Sequence, residues 1–267
     1  MIPALIITTA GINCDRELAT AFRRAGAAPQ TIHLNALRRT PAIIDKFALI
    51  GMPGGFSYGD AIAAGRIEAQ MLRSVYPALT AAVDRGVPII APCNGFQVAA
   101  QFGLLPGPET GASWPAEPAE PVVALATNVT ARFIDRWSRI EIPANSRCVW
   151  THDLTMSDDT ALMPIAHGEG RFVVDSPERL EQLDAGGQIA MRYAADDNPN
   201  GSTGNVAGIC DSTGLVFGLM PHPERYTRWT QHPFWTRLPR ERRSGDPLGL
   251  QLFRNAVRHA ESVEVGV

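Results

Sequence analysis

Three short apolar runs, each broken off by a turn and followed by a helical pattern, constrain this chain more than any other feature. Ala4 to Thr9 runs into Gly11-Ile12-Asn13, Phe47 to Ile50 into Pro53-Gly54-Gly55, and Val87 to Ala91 into Pro92-Cys93-Asn94-Gly95. Nearly continuous apolar runs of this length fit strands covered on both faces. After the first, Leu18, Ala21, Phe22 and Ala25 share one stripe of a helix over Asp15–Ala25, which Gly26 ends. Thr31 to Leu34 is a further strand, Ile67 to Asp84 a helix that Pro77 bends or splits, and Phe96 to Phe102 begins another. This alternation predicts an α/β fold with a mostly parallel central sheet flanked by helices.

The second half changes character. Val122–Thr127, Phe133–Ile142, Ile165–Val174, Ile189–Tyr193, Val206–Cys210 and Leu215–Leu219 read as strands, predicted to extend the same sheet in antiparallel sense. Asn198-Pro199-Asn200-Gly201-Ser202 is a strong turn signal, and Pro106 to Pro121 reads as a surface loop. Leu248 to His259 is a closing helix with Leu252, Phe253, Ala256 and Val257 facing inward. No repeat or linker divides the chain, so residues 1–267 are expected to form one domain.

Composition narrows the function. Net charge is −3, with no basic excess to meet nucleic acid or an acidic membrane surface. No apolar run reaches the roughly 18 residues that span a bilayer. The N-terminal run lacks a basic leader and reads as a first strand, not a signal peptide. Cys14, Cys93, Cys148 and Cys210 are far apart, with no C-x-x-C pattern. No metal site is expected, and free thiols and a cytoplasmic location are.

Cys93 stands directly after a strand and before a helix, where a sharp turn presents one side chain above a sheet edge. A helix N-terminus carries partial positive charge, which favours a thiolate. Gly95 frees the turn of a Cβ clash. A lone cysteine there is equally a small buried hydrophobe. The far end of the chain decides between them. His222 and Glu224, in Pro221-His222-Pro223-Glu224-Arg225, are two apart in an extended, proline-stiffened segment and project to one side. A cysteine nucleophile, a histidine base and an acidic orienter make a triad. The glycines of Pro53-Gly54-Gly55-Phe56-Ser57-Tyr58-Gly59-Asp60 let backbone N–H groups approach a substrate oxygen, and the Asn94 N–H supplies a second donor. Without G-K-[ST], this loop is not a phosphate cradle.

With Gly11-Ile12-Asn13-Cys14-Asp15-Arg16-Glu17, Ala166-His167-Gly168-Glu169-Gly170 and the Asn198–Ser202 turn, these segments resemble the glutaminase subunits of phosphoribosylformylglycinamidine (FGAM) synthase. Those are class I, or triad, glutamine amidotransferases of flavodoxin-like fold, and the likeness runs in order over about residues 4–259. It implies that Cys93 attacks the glutamine carboxamide, that His222 moves the protons, and that Glu224 orients His222. Gly54, Gly55 and Asn94 would serve the oxyanion, and Gln97 would contact substrate. Ammonia would pass to a large synthetase subunit that binds ATP, magnesium and formylglycinamide ribonucleotide, with a small third subunit left open. No cofactor is implied for this chain itself.

Two departures stand out. The elbow has Ala91 where the family usually has glycine, and Pro106–Pro121 and Thr227–Asp246 lengthen the chain. The latter, with Arg228, Arg237, Arg240, Arg242 and Arg243 among Trp229, Phe234 and Trp235, reads either as a partner-docking patch or as a solvated loop. His167 and Glu169 either face a subunit interface or shape a turn. Cys14 is assigned no chemistry, and Cys148 and Cys210 are read as core. The alternatives are a triad amidotransferase serving another synthetase, a non-catalytic module of the same fold, and a cysteine hydrolase of α/β type.

Overall fold

The structure, a computed structural model, describes residues 1–265; the last two positions of the expected 1–267 domain lie outside the described residues. The first half runs β1 (Pro3–Thr8), α1 (Asp15–Ala25), β2 (Ala28–His33), α2 (Leu34–Arg39), β3 (Leu49–Gly51), α3 (Arg66–Leu72), α4 (Tyr76–Asp84), β4 (Ile89–Pro92) and α5 (Asn94–Gln101). The second half runs β5 (Val123–Ala126), β6 (Ile134–Glu141), β7 (Leu162–His167), β8 (Arg171–Val174), α6 (Pro177–Ala185), β9 (Ile189–Tyr193), β10 (Val206–Cys210), β11 (Val216–Leu219) and α7 (Leu248–Val265).

One sheet has the order β2-β1-β3-β4-β11-β10-β9-β6-β7. Strands β2, β1, β3, β4 and β11 are parallel, and each later neighbour is antiparallel to the one before. Apart from the edge strand β2, where Gln30, Thr31 and His33 are exposed, the parallel strands are apolar on both faces because helices cover both. Leu5, Ile7, Ile50, Ile89 and Ala91 pack with Leu72, Leu79, Phe96 and Val98 on one side. Ala4, Ile6, Leu49, Ile90, Phe217 and Leu219 pack with Leu18, Phe22, Leu252 and Phe253 on the other. The predicted stripe of α7 is buried as expected, although the helix runs on to Val265.

Two expectations need correction. Ile165–Val174 is two strands: the chain turns at Gly168–Gly170, and β8 leaves the main sheet to pair with β5 in a separate antiparallel ribbon. A Cβ on Gly170 would meet the His167 ring at 2.2 Å, so the turn folds back on that side chain. Val122–Thr127 therefore does not extend the main sheet. The helix over Ile67–Asp84 is split beside Pro77, as expected: it divides at a short 3-10 turn over Arg73–Val75, and Pro77 occupies the first turn of α4, where its missing N–H is no loss. Helices α2 and α6 were not anticipated. The loop from Pro106 to Pro121 holds no helix or strand and drops Trp114 edge-on against the buried Tyr76.

Trp150 locks α1 and α7 onto the sheet. It is fully buried, packs edge-on to Phe22 and Phe253, and donates its indole N–H to the Leu215 carbonyl at 2.9 Å. Trp150→Ala is expected to lower the unfolding free energy by about 3–5 kcal/mol in urea titrations. Trp150→Phe is expected to cost less, since only the hydrogen bond and part of the ring are lost.

Candidate active site

In an open parallel sheet, the loops leaving the carboxyl ends of adjacent strands meet over one edge. Here the loops after β1, β3, β4 and β11 carry Asn13-Cys14, Gly54-Gly55, Cys93 and His222 respectively. The first two are zipped together. Phe56 and Tyr58 donate backbone N–H groups to Gly11 and Ala10 carbonyls at 3.0 and 2.8 Å, and Cys14 N–H donates to Gly54 O at 3.3 Å. Gly55 has φ +145°, and a Cβ there would lie 2.8 Å from Asn13 N. The crossing needs glycine.

Cys93 has φ 52° and ψ −110°, a conformation that costs a non-glycine residue strain. Neighbouring contacts hold it. Its N–H donates to Leu219 O at 2.7 Å, and its carbonyl accepts from Phe96 N–H at 2.9 Å as α5 begins. A Cβ on Gly95 would stand 2.0 Å from Met52 O, so the helix start rests directly on the β3 backbone. The methyl of Ala91 is accommodated in the core at 0% exposure. The thiol Sγ lies 3.6 Å from Ala166 O, at the end of β7.

His222 N–H is fixed by Pro164 O at 2.8 Å, and its ring Nδ1 lies 2.6 Å from Glu224 Oε1. Both side chains are essentially buried, at 2% and 0% exposure. His222 Nε2 and Glu224 Oε2 have no hydrogen-bond partner. Burial opposes a charged ring, but the Glu224 carboxylate, aided by the Cys93 and Cys14 thiols, outweighs it and raises the His222 pKa well above 6.5. His167 is the opposite case. Burial first, and then the charge of His222, push its pKa down to about 4, so it stays neutral at physiological pH. Its Nδ1 is 3.1 Å from Asn128 Oδ1, which also accepts from Gly170 N–H. It braces the Gly-flanked turn.

A pocket of ≈ 190 Å³ opens at this edge, with Cys93, His222 and Gly55 on its wall. Gly54 lies behind them: a Cβ there would meet His222 Cε1 at 3.0 Å and Cys93 Cβ at 3.3 Å. Asn94, as the first residue of α5, has an N–H with no intrahelical acceptor. Its side chain accepts from Ser57 N–H at 3.1 Å and donates to Gln97 Oε1 at 2.8 Å. Gln97 Nε2 in turn donates to Glu169 O at 2.5 Å. Gln97 is thus 5% exposed and off the pocket wall, bracing Asn94 and the β7–β8 turn. Glu169 also accepts from Ala64 N–H at 3.3 Å, and burial, then its nearby charge, raises the Asp60 pKa to about 6.

Sequence reasoning passed over Cys14, Arg225, Phe133, Asp135 and Ala166 as pocket residues. Cys14 is 1% exposed, and Arg225 donates to its Sγ at 3.2 Å and to Glu17 Oε2 at 3.0 Å. The signal was present in Gly11–Glu17, but only the zipped loops bring Cys14 to His222. Cys148 and Cys210 are fully buried, as expected, and His152 and Asp153 are exposed. In the arginine-rich segment, Phe234 and Trp235 are exposed while His232 is buried. No helix among the described residues is long and apolar enough to cross a membrane.

A family model for the CobB/CobQ-like glutamine amidotransferase domain matches residues 2–260. Two curated relatives are each described as phosphoribosylformylglycinamidine synthase subunit PurQ. The one from Dehalococcoides mccartyi is 36% identical over 98% of this chain and 99% of its own length. The one from Treponema denticola is 38% identical over 83% of this chain and 87% of its own. A chain in the structure of PurLQS from Thermotoga maritima superposes with a TM-score of 0.71 at 27% identity, covering 97% of this chain and 99% of that one.

Two outcomes follow from the geometry. Gly54→Ala should leave the fold intact, because the added methyl meets a ring edge and a side chain and not backbone, yet displace His222 from Cys93. Circular dichroism should match wild type while catalytic turnover falls roughly a hundredfold, the scale of an ångström-level misplacement. For the ring itself, removing the carboxylate charge removes the main force raising its pKa. In nitrogen-15 NMR titrations, His222 should remain protonated above pH 6.5 in wild type and titrate lower in Glu224→Gln.

Proposed function

The chain belongs to the CobB/CobQ-like glutamine amidotransferase family, alongside the PurQ subunits, and from that premise we propose how it releases ammonia from glutamine as the glutaminase subunit of FGAM synthase in purine biosynthesis. One observation carries the chemical assignment: the strained Cys93 and His222, the latter paired with the buried Glu224, line one pocket.

With its proton passed to His222 Nε2, Cys93 Sγ attacks the side-chain carboxamide carbon of glutamine, the positive end of α5 lying at the sulfur. A C–S bond forms and the carbonyl oxygen takes negative charge, which Gly55 and Asn94 N–H groups stabilise. His222 donates its Nε2 proton to the leaving nitrogen, and the C–N bond breaks to give ammonia and a γ-glutamyl thioester. Water then attacks the thioester. His222 accepts its proton, the C–S bond breaks, and glutamate leaves with Cys93 restored. Glu224 holds the ring and balances its charge throughout. At the pocket wall, the Arg225 guanidinium and the Asp135 carboxylate present opposite charges to the α-carboxylate and α-ammonium of the substrate. Gln97 acts through Asn94 as a positioning residue.

The ammonia passes to a synthetase subunit that holds ATP, magnesium and formylglycinamide ribonucleotide, in the cytoplasm. A small third subunit would join the same assembly. Two exposed rings on the pocket wall support this docking: Phe56 and Phe133 are 46% and 54% exposed, and their centres are 6.4 Å apart. Such residues stay exposed in a monomer at a cost that a partner removes.

In the assembled enzyme, Cys93→Ala should abolish glutamine-dependent synthesis while added ammonia still supports it, since the synthetase chemistry lies on the other subunit. Retention of glutamine use by this variant would remove the nucleophile assignment. Phe133→Glu should weaken assembly with the synthetase at least tenfold in titration calorimetry, and unchanged affinity would move the docking surface elsewhere.

A further inference from the structure

The thiol of Cys14 has no part in the reaction just described, yet it sits beside the proton relay. One ligand-capable atom each from Cys14, His222 and Glu224 lies within 4.8 Å of the other two, and all three residues are buried. His222 Nε2 and Glu224 Oε2 are buried without hydrogen-bond partners, so the cluster carries unused coordinating capacity. We propose that Cys14, His222 and Glu224 form an inhibitory site for a soft divalent cation such as zinc, which silences the glutaminase by occupying its proton relay.

The chemistry of the donors suits such an ion. Thiolate, imidazole and carboxylate are the ligands zinc takes most often, and three protein ligands leave a fourth position for water or Cys93 on the same pocket wall. The charges cancel: one thiolate and one carboxylate balance a dication, the imidazole is neutral, and Arg225 beside the thiol is paired with Glu17 at 3.0 Å. A neutral cluster is the form in which a cation tolerates burial. Two atoms bound to one tetrahedral zinc stand roughly 3.4 Å apart at bond lengths of about 2.1 Å. The 2.6 Å contact between His222 Nδ1 and Glu224 Oε1 therefore opens if both atoms bind, and Glu224 no longer orients the ring. Binding releases the Cys14 thiol proton and the ring proton of His222 to solvent and involves no redox step. Arg225 gives up its 3.2 Å contact to the sulfur and keeps Glu17.

The inhibitory consequence rests on the glutaminase assignment, while the binding does not, and the test separates them. Cobalt(II) is titrated into the purified full-length chain without glutamine, and a thiolate-to-cobalt charge-transfer band is followed in wild type, Cys14→Ser and Cys93→Ser. Zinc inhibition of glutamine hydrolysis is measured in wild type and Cys14→Ser, each against its own zinc-free rate. The band should form in wild type, survive in Cys93→Ser and vanish in Cys14→Ser. The zinc concentration for half-inhibition should rise roughly tenfold or more in Cys14→Ser. A band kept in Cys14→Ser but lost in Cys93→Ser would overturn the site in favour of the nucleophile itself. So would absence of cobalt binding by wild type, or equal zinc sensitivity of wild type and Cys14→Ser. A chain that binds cobalt through Cys14 but hydrolyses no glutamine would retain the metal site and lose the enzymatic assignment.

Discussion

Backbone packed directly on backbone is the constraint from which the site follows. Met52 O occupies the space a side chain at Gly95 would need, and Phe56 O the space of one at Gly11, with 2.0 Å to the position of a Cβ in both cases. These contacts draw the ends of β1, β3 and β4 together. The strained Cys93 backbone is held by the same contacts, with Leu219 O on one side and the start of α5 on the other. Strain of this kind persists only where its surroundings over-determine it.

The electrostatics are set by the same closeness. His222 and His167 are both nearly sealed from solvent, at 2% exposure, and their pKa values move in opposite directions. The difference is the partner. His222 faces a carboxylate, whereas His167 faces the amide oxygen of Asn128 and the positive charge of His222 itself. One ring is driven towards the charged form and its neighbour is kept neutral, although both sit beside Gly- or Pro-rich turns, His167 at the end of β7 and His222 after β11.

The parallel half of the fold was legible because its signals are local. An apolar run, a glycine or proline stop and a 3.6-residue stripe each fit in a dozen residues, and β1, β4, α1 and α7 all carry them. The triad was legible for a similar reason, since strand-end Cys93 and the H-x-E spacing speak without tertiary information. What escaped depends on distant contacts. Whether Ile165–Val174 is one strand or two is decided by the His167 ring under Gly170, and the ribbon of β5 and β8 by pairing across the long stretch between them. Gln97 was assigned a substrate contact only through the family resemblance, and the partners of its amide, Asn94 and Glu169, are set by a turn some seventy residues later in the chain. Cys14 became part of the site through a loop crossing that no spacing in the sequence encodes.

The position of β11 has a consequence for how the molecule is made. It is the last strand of the chain, yet it lies in the middle of the sheet, between β4 and β10, with Val216 registered on Ile89. The Leu219 carbonyl that holds Cys93 and the histidine that serves it both arrive with that strand. On the ribosome, a chain that has emerged only through β10 has its elbow cysteine but neither the support nor the base. Contacts so far apart in sequence form late, because loop closure precedes the gain from pairing. On the proposed chemistry, nascent and truncated chains are silent until the central gap in the sheet is filled.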